Sequence, residues 1–289
     1  MPRVTVVTAT YNWATVLPYS IASVLDQSYG DFEMLVIGDG CTDESAAVVK
    51  AIDDERVHWH NLAGNTGHQA GPNNEGLRRA RGSLIAYLGH DDLWLPHHLD
   101  TLVTAVDDGS PFVHASLLMV KPHVAPRQSP TAGWSYRPGL WIPPTSVVHD
   151  RLLALEAGGW QEPSRVGRLD PETELWGRMA ESAPPRHVDR VTCVKLSAAA
   201  RRDVYRDRPC HEQAYWLGRI RAADDPEAMV RAAIGERYVL ATEPRSASWS
   251  SLPERGARAV RGLFRRARGR PPVTAHERTQ RRRRFKGVE

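Results

Sequence analysis

Three short apolar runs, each ending on a tight polar cluster, constrain this chain more than any other feature. Residues 4–7 (Val-Thr-Val-Val) lead into Thr8-Ala9-Thr10-Tyr11-Asn12, residues 34–37 into Gly38-Asp39-Gly40, and residues 83–88 into Gly89-His90-Asp91-Asp92. Runs of this length and composition, closed by turn residues, read as buried strands. Between them, Val16, Leu17, Ile21, Val24 and Leu25 recur at helical spacing over residues 16–27. Thr42-Asp43-Glu44-Ser45 opens a second helix with acidic residues in its first turn. Residues 57–60 read as a further strand, and the Gly/Asn/Pro loop 65–74 leads into a helix that ends near Arg81. Strands alternating with helices predict an α/β chain with a mainly parallel central sheet and flanking helices. Ligands of such a sheet bind at the carboxyl ends of its strands, where all three polar clusters fall. Further on, residues 111–146 are rich in Pro and Trp without a clear period, and 150–157 and 172–180 read as helices.

The 289 residues suffice for one large α/β domain with an appendage. No stretch approaches the roughly 20 apolar residues of a membrane span. The first residues run straight into a strand without an apolar leader, so a cytoplasmic protein is expected. Cys41, Cys193 and Cys210 lack metal-site spacing and are expected as free thiols. Charge is unevenly placed: residues 255–289 hold 13 basic and 2 acidic residues, leaving 25 basic and 32 acidic in the body. The basic balance therefore belongs to the tail and says little about the body's substrate.

The polar clusters carry residue types with definite chemistry. Asp39, between two glycines at a strand end, can accept hydrogen bonds from a uracil N–H or a ribose hydroxyl, or can serve a plain Asp-Gly turn. The adjacent carboxylates Asp91 and Asp92 suit Mn²⁺ or Mg²⁺, which take one or two protein carboxylates plus phosphate oxygens; either could instead cap a helix. His97 and His98 read as surface residues. Trp134, Tyr136 and Trp141 suit either stacking on a sugar or a place in the core.

In order along the chain, these segments resemble glycosyltransferase family 2, whose members adopt the GT-A nucleotide-diphospho-sugar transferase fold. The resemblance rests on Thr8-Ala9-Thr10-Tyr11-Asn12, on residues 23–33, on Val36-Ile37-Gly38-Asp39-Gly40-Cys41-Thr42-Asp43, on Asn65-x-Gly67 with Asn74-x-Gly76 and Ala80-x-Gly82, and on Gly89-His90-Asp91-Asp92 at the DXD position. It is strong over residues 1 to about 100 and thinner to about 180. It implies an inverting transferase that moves a sugar from a nucleoside-diphosphate sugar, UDP-linked, to an acceptor hydroxyl. Thr8, Thr10, Tyr11, Asp39, Asn74 and His90 would bind the donor nucleotide, with Mn²⁺ or Mg²⁺ at Asp91 and Asp92. The stretch Asp170-Pro171-Glu172-Thr173-Glu174-Leu175-Trp176 is similar to the family's acceptor side, making Glu172 the general base with Asp170 as the alternate. The chain departs from the family where Gly38 and Gly89 replace the first Asp of their motifs and Asn73 stands where many relatives have Arg. The resemblance divides the chain into a donor half (1–110), an acceptor half (111–200), a helical extension (201–254) and the basic tail (255–289).

Two other functional classes fit an α/β sheet with a nucleotide and a metal. A nucleotidyltransferase is expected to show a Gly-rich phosphate loop after the first strand, and residues 8–12 contain no glycine. A non-catalytic nucleotide-sugar binding protein is suggested by the two lost carboxylates. His211, late in the chain, is a candidate to fold back as a metal or phosphate contact. In the tail, Val260, Leu263, Phe264 and Ala267 lie at helical spacing among arginines, the pattern of a basic amphipathic helix on an anionic membrane. A peripheral place on the inner face of a membrane is thus expected, with a glycan, a lipid-linked or a small-molecule acceptor. Nucleic acid is a poor fit, because few aromatics interleave the basic residues.

Overall fold

The computed structural model describes residues 1–235 except 132, 168 and 202, together with 277, 280, 281 and 284. Along the chain the elements are β1 (Val4–Thr10), α1 (Leu17–Leu25), β2 (Phe32–Gly38), α2 (Ser45–Lys50), β3 (Val57–Asn61), α3 (Ala70–Arg79), β4 (Leu84–Tyr87), β5 (Leu93–Trp94) and α4 (His98–Asp107). There follow β6 (Phe112–Lys121), β7 (Val124–Ser129), β8 (Val147–Asp150), α5 (Arg151–Glu156), α6 (Pro171–Ser182), β9 (Arg186–Leu196), α7 (Val204–Asp207), α8 (His211–Ala222) and α9 (Pro226–Ala232).

The described strands form one sheet in the order β3-β2-β1-β4-β8-β6-β9-β5, with β7 paired to β6. β1 pairs in parallel with β2 and β4, β2 with β3, and β6 with β9; β8 lies antiparallel between β4 and β6. β1, β2, β4 and β6 consequently run the same way, and the mainly parallel sheet expected from the alternation is present. Every residue of β2 and β4 is buried, as a parallel strand covered on both faces requires. Leu17, Ile21 and Val24 of α1 join Leu99 and Leu102 of α4 over one face. Leu77 of α3, Ala154 of α5, and Leu175 and Trp176 of α6 cover the other. Helix α3 lies so close to β1 that a Cβ on Gly76 would stand 2.4 Å from Val7 Cγ1.

The segment without a clear period is the long strand β6, the hairpin strand β7 and a loop returning to β8. The apolar residues of β6 are buried on both of its faces, so no alternation marks that strand. The expectation for His98 is corrected: it is fully buried, stacks on Trp94 at 4.2 Å and bonds Thr192 Oγ1 through Nδ1 at 2.8 Å. Within 201–254, α7 to α9 occupy the described part; the tail 255–289, apart from four isolated positions, lies outside the described residues. No helix among the described residues is long and apolar enough to cross a membrane.

Candidate active site

Parallel pairing places Thr10 beside Gly38, so the turns after β1 and β2 meet. Asn12, in the left-handed region at φ 56°, locks them together: its Oδ1 accepts from Thr42 N at 2.8 Å and from Asp43 N at 3.3 Å. Thr8 is fully buried and Thr10 2% exposed. Thr8 has no surface open to a ligand, which corrects its expected nucleotide contact, and Thr10 acts through its carbonyl, which accepts Asp39 N at 2.8 Å. Tyr11, in the same turn, is half-buried.

Asp39 holds the loop that precedes α3. Its Oδ1 accepts from Thr66 N at 2.9 Å and Thr66 Oγ1 at 2.7 Å, and its Oδ2 from Gly67 N at 3.2 Å. A carboxylate has about four acceptor positions, so room for one further donor remains. The loss of an Asp at Gly38 has a steric cause: a Cβ there would lie 2.4 Å from Asn61 Oδ1 and 2.7 Å from the Trp59 ring. Gly89 is similar, since a Cβ would lie 2.7 Å from Asp92 Oδ2.

Asn74 is corrected as a nucleotide contact. Its Nδ2 donates to Trp160 O at 2.8 Å and its Oδ1 accepts Trp160 N at 2.9 Å. Both ends of the amide are committed to backbone, and the residue clips α3 to the segment before α6. Asn73, buried, lies on the same helix.

The DXD-like turn divides its labour. His90 donates from Nδ1 to Ala9 O at 3.1 Å and packs against Trp13 with ring centroids 4.8 Å apart. Asp92 is fully buried; Oδ2 lies 2.8 Å from Lys195 Nζ and Oδ1 accepts Leu196 N at 3.0 Å. These bonds tie the end of β4 to the end of β9 and correct the expectation that Asp92 ligates a metal. Asp91 is half-buried, and its backbone carbonyl accepts Gln213 Nε2 of α8 at 3.1 Å. No group of three or more His, Cys, Asp or Glu among the described residues is placed to hold a metal ion. A cage made wholly of protein is therefore absent from this part of the chain. One half-exposed carboxylate at a strand end still fits Mg²⁺ or Mn²⁺, which take most ligands from phosphate and water.

Glu172 sits in the first turn of α6, 9% exposed. Gln69 Nε2 donates to its Oε2 and Trp141 Nε1 to its Oε1, each at 2.7 Å. Burial, helped by the charge of Asp170, pushes the Glu172 carboxyl above its ordinary range; the bond from Trp141 and the charge of Lys195 work against that rise. Asp170 is the N-cap position of α6 and half-buried. Glu174 instead grips Arg178, which also bonds the carbonyls of Ala157 and Gly159.

Sequence reasoning missed the residues around Glu172 and Asp92. Lys195 was detectable as one ionisable residue inside the apolar run Val191-Thr192-Cys193-Val194-Lys195-Leu196. Burial disfavours its ammonium, and the charges of Asp92, Asp91 and Glu172 outweigh that and hold it above the ordinary lysine range. Gln69 carries no signal in sequence. Of the aromatic trio, Trp134 meets His114 edge-on at 4.5 Å and, with Tyr136, packs on the core, whereas Trp141 is 41% exposed. His211 is exposed at the start of α8. The three cysteines are free.

Comparison with known proteins gives a consistent picture. Residues 5–146 match the model of "Glycosyl transferase family 2". A relative in Campylobacter jejuni, GalNAc(5)-diNAcBac-PP-undecaprenol beta-1,3-glucosyltransferase, is 31% identical over 126 residues, 42% of this chain and 40% of that protein. The chain spans about a third to two fifths of the length of the curated relatives it matches. Among solved structures, S. aureus TarS 1-349 in complex with UDP-GlcNAc superposes with a TM-score of 0.54 at 16% identity, covering 81% of this chain and 70% of that one. The mannosyltransferase PcManGT from Pyrobaculum calidifontis, in complex with GDP-Man and Mn²⁺, gives 0.54 at 17% identity, covering 80% and 68%. These likenesses establish a shared GT-A type fold.

Proposed function

We propose, because the chain belongs to glycosyl transferase family 2 through residues 5–146, that it transfers a sugar from a nucleoside-diphosphate sugar to an acceptor hydroxyl with inversion. The observation that carries this reading is Glu172, a buried carboxylate held by Gln69 from before α3 and by Trp141 from the loop after β7. Raised above its ordinary range yet gripped by two donors, it is tuned and aimed as a proton acceptor. Asp170 lies outside that grip and is the second choice.

In this reading Tyr11 and His90 bound the nucleoside, and the loop held by Asp39 closes its far side. Asp91 would hold the divalent ion, which when bound offsets charge developing on the diphosphate leaving group. Glu172 takes the acceptor proton as the hydroxyl attacks the anomeric carbon opposite the nucleotide. Direct displacement inverts that centre and needs no covalent nucleophile. The UDP-GlcNAc held by the TarS neighbour supports a UDP-linked hexose or N-acetylhexosamine as donor. The undecaprenol in the name of the Campylobacter relative supports a lipid-linked acceptor, and with it a cytoplasmic enzyme resting on the membrane through residues 255–289.

Thermal shift with UDP or GDP plus Mn²⁺, followed by UDP release from UDP-sugars, tests the reading. Asp91→Asn is expected to lose the metal-dependent part of nucleotide binding. Glu172→Gln is expected to keep binding and lose transfer. A melting curve unmoved by every nucleoside diphosphate with metal defeats the assignment.

A further inference from the structure

We infer that Lys195 is a built-in cation for the donor's diphosphate, so that the site holds a nucleoside diphosphate in part without a divalent ion. The inference rests on the nucleotide-sugar reading above and concerns a residue beyond the segment that matches the family model. Lys195 lies near the end of β9, and the bond to Asp92 brings its ammonium to the end of β4, where Gly89-His90-Asp91-Asp92 begins.

Three observations separate this role from that of a simple counter-ion to Asp92. First, an ammonium has three donors, and among the described residues Nζ makes one hydrogen bond, to Asp92 at 2.8 Å. Second, the side chain is 20% exposed although Asp92 is fully shut off. An ion pair serving the core alone gains nothing from an open side. Third, the charges of Asp91 and Glu172 both act on the ammonium, so it lies within electrostatic reach of the donor-side carboxylate and of the proposed base. A diphosphate bound at Asp91 would lie within reach of the same charge.

The local charge balance points the same way. Asp91, Asp92 and Glu172 would repel a diphosphate, and the positive charge of Lys195 interacts with all three. At position 89 a glycine stands where the family motif carries an Asp, and the space its side chain would need is taken by the carboxylate that Lys195 holds. One carboxylate is thereby missing from the phosphate side and another is neutralised. Both changes lower the cost of admitting an anion before any metal arrives.

The test is calorimetric titration of the full chain with UDP, once in Mn²⁺ and once in EDTA. Wild type is expected to bind in both, more tightly with Mn²⁺. In EDTA, Asp92→Asn with Lys195→Met, a pair change that leaves no lone buried charge, is expected to weaken binding about 10- to 100-fold, the range for losing a charged hydrogen bond. Lys195→Arg is expected to retain most of it, and the gain on adding Mn²⁺ should survive in each variant. Should the double variant unfold, Lys195→Gln, which removes the charge and keeps a hydrogen-bond donor on the side chain, takes its place. An unchanged affinity in EDTA for a folded neutral variant overturns the inference and leaves Lys195 as the counter-ion of Asp92. Wild type that binds UDP with Mn²⁺ and not at all in EDTA also overturns it while sparing the nucleotide-sugar reading. Failure to bind UDP or GDP even with Mn²⁺ overturns both.

Discussion

Replacing Trp141 by Phe keeps an aromatic ring at this position and removes one hydrogen bond, the 2.7 Å donation from its indole N–H to Glu172 Oε1. That bond is made to the ionised carboxylate, so its loss disfavours the ionised form and raises the Glu172 pKa, in the same direction as burial already does. A hydrogen bond to a charged group contributes about 1.5–3 kcal/mol, and one pKa unit corresponds to about 1.4 kcal/mol, which brackets the change at roughly 1–2 units. Trp141 is 41% exposed, so water can replace much of the lost donor, and the lower end, about 1 unit, is expected. As the proposed base, Glu172 can accept a proton only when ionised. The acidic limb of the kcat profile for UDP release should therefore move up by about 1 pH unit in Trp141→Phe, while the plateau above it recovers to within a few-fold of wild type. Glu172→Gln, measured alongside, should show no plateau. An acidic limb that stays in place in Trp141→Phe while Glu172→Gln is inactive refutes the argument that this bond tunes the base.

Restoring the family's Asp at Gly38 should destabilise the fold, because its Cβ would enter the space of Asn61 and Trp59. Overpacking of this kind costs about 1–3 kcal/mol, so Gly38→Asp should lower Tm by several degrees in calorimetry, with no tighter UDP binding. Stability should also fall in mild acid. His98, His114 and His149 are fully buried; burial pushes His98 well below its ordinary value, His114 down to about 3 and His149 to about 4. The unfolded chain takes up protons below about pH 6.5 that the folded chain refuses, so stability is complete above that pH and declines beneath it, by about 1.4 kcal/mol per group between pH 7.5 and 5.5. The three together predict a loss of roughly 4 kcal/mol, read as a Tm drop of roughly 10 °C; a flat Tm across that interval contradicts it. Deleting residues 255–289 should leave UDP binding unchanged and abolish co-sedimentation with anionic vesicles at low salt, since the segment holds 13 basic and 2 acidic residues. Equal sedimentation of both forms sinks the membrane role.

What lay open in the sequence was whatever depends on neighbours along the chain. The apolar runs that became β1, β2 and β4, the helical spacing of Val16 to Leu25, and the polar residues closing each strand are local patterns, and a parallel sheet converts them into one edge lined by Tyr11, Asp39, His90 and Asp91. Element ends shifted by a residue or two because termini depend on capping and packing. The partners of the polar side chains were decided by the tertiary structure alone. Asp91 and Asp92 are adjacent and alike in sequence, yet Asp92 meets Lys195, 103 positions away, and becomes a structural tie. Asn74 looks like a donor contact and is instead committed to the backbone of Trp160, 86 positions on. Glu172 takes its two donors from residues 103 and 31 positions earlier. Hydrogen bonds and ion pairs act only over a few ångströms, whereas the separation of their partners along the chain is set by the crossovers that order the strands. A local pattern therefore specifies which strand end a carboxylate occupies. Only the packing of β9, α6 and the loop after β7 against that edge specifies whether the carboxylate stays available for chemistry.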